Sequence, residues 1–164
     1  MKGYFKQAFP DLETEGFQET SPGAKKYNCI AWAAGQHNQW WWPYDHPKYY
    51  WPEGVSRVVS LDAFLQAFAS LGYQPCATGE LEAGFEKVAI YALHGKPKHA
   101  ARQLSDGQWT SKLGKDIDVT HTLRGLEGPM YGQVACYLKR ALGGGSNQYR
   151  ILTTRSEGPD SAWF

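Results

Sequence analysis

The chain has 164 residues, of which 17 are basic and 16 acidic, and its net charge at pH 7 is +1. This balance excludes the dense positive charge by which proteins bind nucleic acid or anionic membranes. No stretch of the sequence approaches the roughly 20 consecutive apolar residues of a membrane span. With 42% hydrophobic residues and a mean hydropathy of −0.53, the composition is typical of one soluble globular domain.

The first 24 residues predict an irregular leader, because Pro10, Gly16, Pro22 and Gly23 interrupt a polar stretch. The leader has no continuous apolar segment like that of a secretory signal. We therefore expect a cytoplasmic protein, and export by a dedicated system stays open. A glycine-rich run after residue 141 predicts a linker and polar tail over residues 142–164, which leaves residues 25–141 as the domain.

A short helix is predicted over residues 28–36, with Asn28 as its N-cap. Cys29 then lies in the first turn, where unpaired backbone N–H groups favour a thiolate. The other two cysteines, Cys76 and Cys136, follow a helix end and lie in an alternating strand, which suits buried structural thiols. Three widely spaced cysteines predict neither disulfides nor a zinc site, and we expect no metal or cofactor. Cys29 is therefore the expected reactive thiol, the first that iodoacetamide labels near neutral pH.

Residues 36–52 form a loop dense in aromatic side chains and prolines. The prolines exclude a regular helix or a central strand there. Clustered Trp and Tyr side chains either form a stacking wall for a substrate or partner, or cap a core short of apolar area. The candidates for a substrate-binding wall are Trp40, Trp41, Trp42 and Trp51.

A second helix is predicted over residues 61–71, with Ser60 as its N-cap and Gly72 after its end. Five apolar side chains recur at helical spacing on one face of this helix, namely Leu61, Phe64, Leu65, Phe68 and Leu71. We expect this stripe to pack on a sheet formed by residues 87–113.

The hydrophobic period then changes to two, which predicts strands over residues 87–93, 99–104, 109–113 and 131–139. The run Ser105–Gln108 predicts a hairpin whose two-residue type I′ turn is Asp106–Gly107. Helices followed by an antiparallel sheet indicate an α+β fold.

His99 is the histidine best placed to act as a base, because it lies at a strand edge beside small residues. Imidazole takes up a proton near neutral pH, and a third group must hold its other nitrogen. With the predicted two-residue turn, the acids beyond the return strand fold back on His99, so Asp118 is the expected third residue and Asp116 the reserve. In the same register Lys112 lies opposite Ala101 and points at the site. The alternative to a catalytic role is a structural one, in which His99 is hydrogen-bonded within the sheet and Cys29 is a buried thiol of the core.

A helix led by cysteine, a histidine on a strand and a polar residue on the return strand resemble the papain-like superfamily, in particular bacterial amidases and peptidases of the NlpC and CHAP kinds. More closely, the segments 27–33, 40–43, 99–104 and 109–114 resemble an uncharacterised bacterial domain family over about residues 20–140. The resemblance implies a papain-like fold with helices packed on a small antiparallel sheet, Cys29 as nucleophile and His99 as base. We expect Asn28 and Lys112 to support the oxyanion. The chain departs from the cell-wall peptidases, since Asn-Cys-Ile-Ala stands where they have Asp-Cys-Ser-Gly, and no Asn-Ser-Trp follows the histidine as in papain.

These features together predict a thiol-dependent hydrolase of amide bonds, such as a peptidase, amidase or deamidase, which acts on a peptide, protein or other amide substrate. The same machinery serves acyl transfer, and a toxin-like effector uses it equally well. The main alternative is a non-catalytic binding module of the same fold that uses the aromatic loop over residues 36–52.

Overall fold

Short helices pack on an antiparallel sheet in the computed structural model, which describes residues 3–143. The strands are β1 (Phe17–Ser21), β2 (Trp40–Trp41), β3 (Tyr49–Tyr50), β4 (Gln74–Cys76), β5 (Phe85–Leu93), β6 (Lys96–Gln103), β7 (Trp109–Lys112), β8 (Asp118–His121) and β9 (Gln133–Ala141). The helices are α1 (Gly3–Ala8), α2 (Leu12–Glu15), α3 (Cys29–Ala33), α4 (Leu61–Ala69) and a 3₁₀ turn over Arg124–Leu126. The predicted tail lies mostly outside the described residues. None of these helices is long and apolar enough to cross a bilayer.

Seven of the strands form one antiparallel sheet in the order β1-β8-β7-β6-β5-β9-β4, while β2 and β3 pair as a separate parallel ribbon. The α+β prediction is confirmed. The irregular leader predicted over residues 1–24 is wrong, because β1 is the edge strand beside β8, and Phe9 and Leu12 are buried. Its prolines and glycines separate short elements instead of preventing them.

The helix α4 begins at Leu61 as predicted and ends at Ala69, two residues before the predicted end, and its apolar side chains belong to the core. The Ser60 side chain accepts a hydrogen bond from the N–H of Ala63, which is the N-cap bond expected at this position. Phe64 and Phe68 are fully buried, and the three leucines of the predicted stripe pack partly buried against the same cluster. The apolar face of α4 therefore meets the sheet as its spacing predicts.

The sheet separates two apolar clusters, one on each face. The helices α3 and α4 cover one face, where the strands contribute Val88, Ile90, Ala100 and Leu138. The helices α1 and α2 cover the other face, where the strands contribute Ala89, Tyr91, Ala101, Trp109 and Val119. Alternation along β6 therefore turns Ala100 toward α3, whereas its neighbours Ala101 and His99 face the opposite side.

The turn between β6 and β7 differs from the predicted one. The N–H of Leu104 donates to the carbonyl of Gln108, and within this turn a positive φ of 91° occurs at Gly107 alone. A type I′ turn needs positive φ at both central residues, so a three-residue loop forms instead, and the Asp106 side chain accepts from the N–H of Gln108. Two successive residues with positive φ occur at His94–Gly95, which connects β5 to β6.

The three-residue loop shifts the register of β7 by one residue. Arg102 lies opposite Thr110, which places Ser111 on the same face as Ala101 and His99. Lys112, expected on that face, lies on the other. A slip of one residue exchanges the two faces of a strand, and this exchange decides which groups reach the imidazole.

Candidate active site

Cys29 is the first residue of α3, which is shorter than the predicted helix over residues 28–36. Asn28 is the N-cap as predicted, since its Oδ1 accepts from the N–H of Ala31 at 3.1 Å. The same side chain also accepts from the N–H of Trp41 at 3.0 Å and donates to its carbonyl at 2.8 Å. These bonds fix the start of α3 to the aromatic loop. The oxyanion role expected of Asn28 stays a prediction.

The Cys29 thiol is buried, with 8% of the residue exposed. Burial raises the pKa of Cys29 to about 11, and the backbone N–H groups of Ala100 and Ile30 and the positive charge of Lys112 oppose this effect. The thiol is therefore protonated at neutral pH, and the expected thiolate is wrong. The loss of water around the sulfur outweighs the dipole of a five-residue helix.

His99 lies within β6 and is fully buried. Its Nε2 atom lies 2.9 Å from the Oγ atom of Ser111, and its ring stacks on Tyr131 with centroids 4.0 Å apart. Its Nδ1 atom makes no hydrogen bond to Cys29 or to any other group in residues 3–143. Burial and the nearby His121 lower the pKa of His99 well below 6.5, so the imidazole is neutral.

Ser111 and His121 extend the polar contacts of His99 across two more strands. The Oγ atom of Ser111 lies 2.7 Å from Nε2 of His121, and Nδ1 of His121 lies 2.6 Å from the carbonyl oxygen of Thr122. Burial lowers the pKa of His121 to about 4. Neither residue was predicted from the sequence as a partner of His99. The available signal is the alternation of Trp109, Ser111 and Leu113, which a three-residue loop places on the imidazole face.

Asp118, the expected third residue, has other partners. Its Oδ2 atom accepts hydrogen bonds from the hydroxyls of Tyr27, at 2.7 Å, and of Ser21. Asp118 lies on the α3 side of β8, because three positions separate it from His121. The reserve candidate Asp116 accepts from the Tyr4 hydroxyl. Asp118 as the direct partner of the imidazole is therefore wrong, since Ser111 occupies that position, and Asp116 is bound elsewhere too.

Lys112 supplies positive charge near the thiol. It is fully buried, its Nζ donates to the carbonyl of Asp116, and it lies 5.0 Å from the centroid of the Tyr27 ring. Burial lowers the pKa of Lys112, while the negative charges of Asp118 and Asp116 and of an ionised Cys29 oppose that effect. The oxyanion support expected of Lys112 stays a prediction. Within residues 3–143 no three His, Cys, Asp or Glu side chains are placed to hold a metal ion.

The Cys29 thiol lies next to the backbone of β6, at the point where β6 and β7 separate. In the described residues, two residue pairs join β6 to β7, and the pair Arg102–Thr110 is the last before the strands diverge. The helix α3 packs against both strands, and the N–H of Ala100 reaches the thiol. Because Ala100 follows His99 directly, the sulfur lies beside the backbone that carries the imidazole. The separation of about 5 Å expected between the sulfur and the ring stays a prediction.

The aromatic loop contributes mainly to the core. Trp41 and Trp51 are each 3% exposed, and Trp51 and Trp42 contact Phe64 with ring centroids 5.1 Å and 5.6 Å apart. A stacking wall built from Trp41 and Trp51 is therefore wrong, since neither ring is accessible. Trp40 is half-buried and donates from its indole N–H to a backbone carbonyl.

A family model, described as a domain of unknown function (DUF7689), matches residues 18–139. The chain belongs to this family. No curated protein and no solved structure matches the chain. The DUF7689 match begins within β1 and ends within β9, so Cys29, His99, Ser111 and His121 all lie inside it.

Proposed function

We propose that this chain is a thiol-dependent hydrolase of amide bonds, in which Cys29 is the nucleophile and His99 the base in a papain-like arrangement. Two observations support the proposal: Nδ1 of His99 is buried and has no hydrogen-bond partner among residues 3–143, and the N–H of the next residue, Ala100, lies near the thiol. A buried polar atom without a partner costs free energy, and each such exception calls for a structural or functional reason. A nitrogen kept available for a proton supplies that reason.

The protonated thiol determines the order of the chemical steps. Nδ1 of His99 takes the thiol proton as the Cys29 sulfur bonds to the substrate carbonyl carbon, since a free thiolate is not present beforehand. The charge of Lys112 and the N–H of Ala100 favour the negative charge that develops near the sulfur. The C–N bond then breaks, the amine leaves with the proton from His99, and water hydrolyses the thioester to a carboxylic acid and free thiol.

An open groove of about 720 Å³ provides the proposed approach for the substrate. Gly128 and Gly132 line it and bracket the turn that carries Tyr131, whose ring covers His99. Arg124 and Glu127 also line the groove, so charges of both signs are available for a peptide. In the proposed reaction the substrate displaces Tyr131 from His99 to reach the imidazole.

Acyl-enzyme trapping tests the proposal. We would incubate the protein with p-nitrophenyl acetate and with a fluorogenic peptide amide, and locate the acyl group by intact-mass and peptide mass spectrometry. We expect an acetyl group on Cys29 that is absent from Cys29→Ala and His99→Gln and retained in Cys76→Ala, which removes a thiol outside the site. Circular dichroism would show that each variant is folded. Equal turnover by wild type and Cys29→Ala would overturn the proposal.

The second candidate is a non-catalytic binding module that uses the aromatic loop. Tyr44 and Tyr50 remain 56% and 37% exposed, and a neutral, buried thiol and imidazole suit a structural role. The trapping experiment separates the two functions, because a binding module forms no acyl-enzyme at Cys29 with either substrate.

A further inference from the structure

Three buried side chains on three neighbouring strands form one continuous chain of hydrogen bonds. His99 on β6 meets Ser111 on β7, Ser111 meets His121 on β8, and His121 ends the chain on the carbonyl of Thr122. The three joining distances are 2.9, 2.7 and 2.6 Å. All three side chains are at most 1% exposed, so water does not supply alternative partners.

The direction of every proton in this chain follows from its last member. A carbonyl oxygen only accepts, so Nδ1 of His121 carries the hydrogen that binds Thr122. A neutral imidazole has one N–H, which leaves Nε2 of His121 as an acceptor, and the Ser111 hydroxyl must donate to it. Since a hydroxyl has one hydrogen, Ser111 can only accept from His99. The hydrogen of His99 therefore lies on Nε2, and its lone pair lies on Nδ1.

We propose that Ser111 and His121 are positioning residues that lock His99 in the tautomer whose basic lone pair is on Nδ1. In the proposed reaction, on which this role rests, that lone pair takes the proton from Cys29. The pair replaces the carboxylate expected at Asp118. A carboxylate neutralises the imidazolium that forms, whereas this neutral relay fixes the tautomer without adding negative charge. His99 is accordingly a weak base that holds the proton only during the reaction.

Long-range ¹H–¹⁵N correlation spectra of the histidine rings test the lock without any substrate. In the ¹⁵N-labelled wild-type protein at pH 7 we expect the hydrogen of His121 on Nδ1 and that of His99 on Nε2. Ser111→Ala should release His99 to a mixture of tautomers, and Ser111→Thr, which keeps the hydroxyl, should retain the single one. A wild-type His99 with its hydrogen on Nδ1 overturns the inference, even if both variants fail to fold.

Turnover measurements connect the lock to the reaction. Ser111→Ala should lower kcat about 100-fold with little change in KM, because a correctly held base contributes at least that factor, and Ser111→Thr should restore most of the rate. Unchanged kcat in a folded Ser111→Ala variant overturns the positioning role. If the tautomers are as expected but Cys29 forms no acyl-enzyme, the lock stands and the proposed hydrolase fails.

Discussion

The Tyr131 ring lies parallel to the imidazole of His99, with the two centroids 4.0 Å apart and the planes 10° from parallel. Tyr131 is itself 9% exposed and packs on Phe9 and Tyr91. The stack covers one face of the imidazole and contributes to the burial that lowers its pKa. Chemistry at His99 therefore depends on the turn that carries Tyr131.

Chemical modification should follow this burial. Diethyl pyrocarbonate acylates accessible neutral imidazoles, so we expect it to modify the exposed His37, His46 and His94 and to spare His99 and His121. Tyr131→Ala should add His99 to the modified set, as peptide mass spectrometry would show. Modification of His99 in the wild type at the rate of His94 would contradict the burial described above.

Thiol labelling should also follow burial, in the reverse of the order expected from the sequence. Burial raises the pKa of Cys29 to about 11 and also raises that of Cys136, whereas Cys76 is half-buried and lies on a three-residue edge strand. Because the thiolate is the reactive species, iodoacetamide near neutral pH should label Cys76 first. Cys76→Ser is the control. If this variant lacks the fast phase of labelling, that phase belongs to Cys76. Rapid labelling of Cys29 would mean that a thiolate forms before substrate binds.

The parts of the fold that depend on interactions between residues close in sequence could be predicted. The N-caps Asn28 and Ser60 and the apolar stripe of α4 follow from hydrogen-bonding capacity and helical spacing. The strand β1 was not predictable in this way. Its residues, Phe-Gln-Glu-Thr-Ser, show no alternation of apolar side chains, and its place beside β8 results from tertiary pairing.

The candidate site depended on one turn. Asp106–Gly107 occurs in two-residue and three-residue hairpins alike, and a difference of one residue decides whether Ser111 or Lys112 faces His99. Sequence order suggests Cys29 and His99 as a pair, which stays a prediction, and it leaves the third group undetermined until that register is known. The burial of the Cys29 thiol cannot be predicted from local sequence either. The pKa of Cys29 depends on how deeply α3 packs against the sheet, which is a tertiary property.

The two buried histidines should make the protein less stable in mild acid. The pKa of His121 falls to about 4 in the folded protein, and that of His99 falls well below 6.5. Between these values and about 6.5 the unfolded chain binds more protons, so stability is present above pH 6.5 and is lost as the pH falls toward 4. For His121 alone the loss at about pH 4.5 is roughly 2–3 kcal/mol.

Urea unfolding at pH 7 and about pH 4.5 measures this loss. His121→Gln should reduce the difference between the two pH values, because Gln does not titrate. The comparison is made within each protein, so a change in overall stability caused by the substitution cancels. Equal acid sensitivity of wild type and variant would show that His121 is not held neutral.

Phe68 should be among the most costly side chains to truncate. It lies on the buried face of α4, is fully buried, and contacts the Tyr73 ring with centroids 5.7 Å apart. Phe68→Ala should lower the free energy of unfolding by about 3–5 kcal/mol, since the cavity adds to the lost apolar burial. Leu81→Ala, at a residue 54% exposed, should change it by less than about 0.5 kcal/mol. A loss below about 1 kcal/mol at Phe68 would place the core elsewhere.

Asp118 and Ser111 should affect different properties. Asp118 binds the hydroxyls of Tyr27 and Ser21 on the α3 side of the sheet, so Asp118→Ala should lower the free energy of unfolding by about 1–3 kcal/mol, the cost of leaving buried polar groups unpaired. Its kcat per folded molecule should stay within about threefold of the wild type, because the carboxylate does not hold the imidazole.

Ser111→Ala should show the opposite pattern, with a large loss of kcat for a smaller loss of stability. Both variants would be assayed by release of p-nitrophenol from p-nitrophenyl acetate, well below their unfolding temperatures, with circular dichroism to fix the folded fraction. If Asp118→Ala loses as much kcat as Ser111→Ala while it remains folded, the carboxylate acts on the reaction. The carboxylate would then act through Lys112, whose positive charge lies near both Asp118 and the thiol.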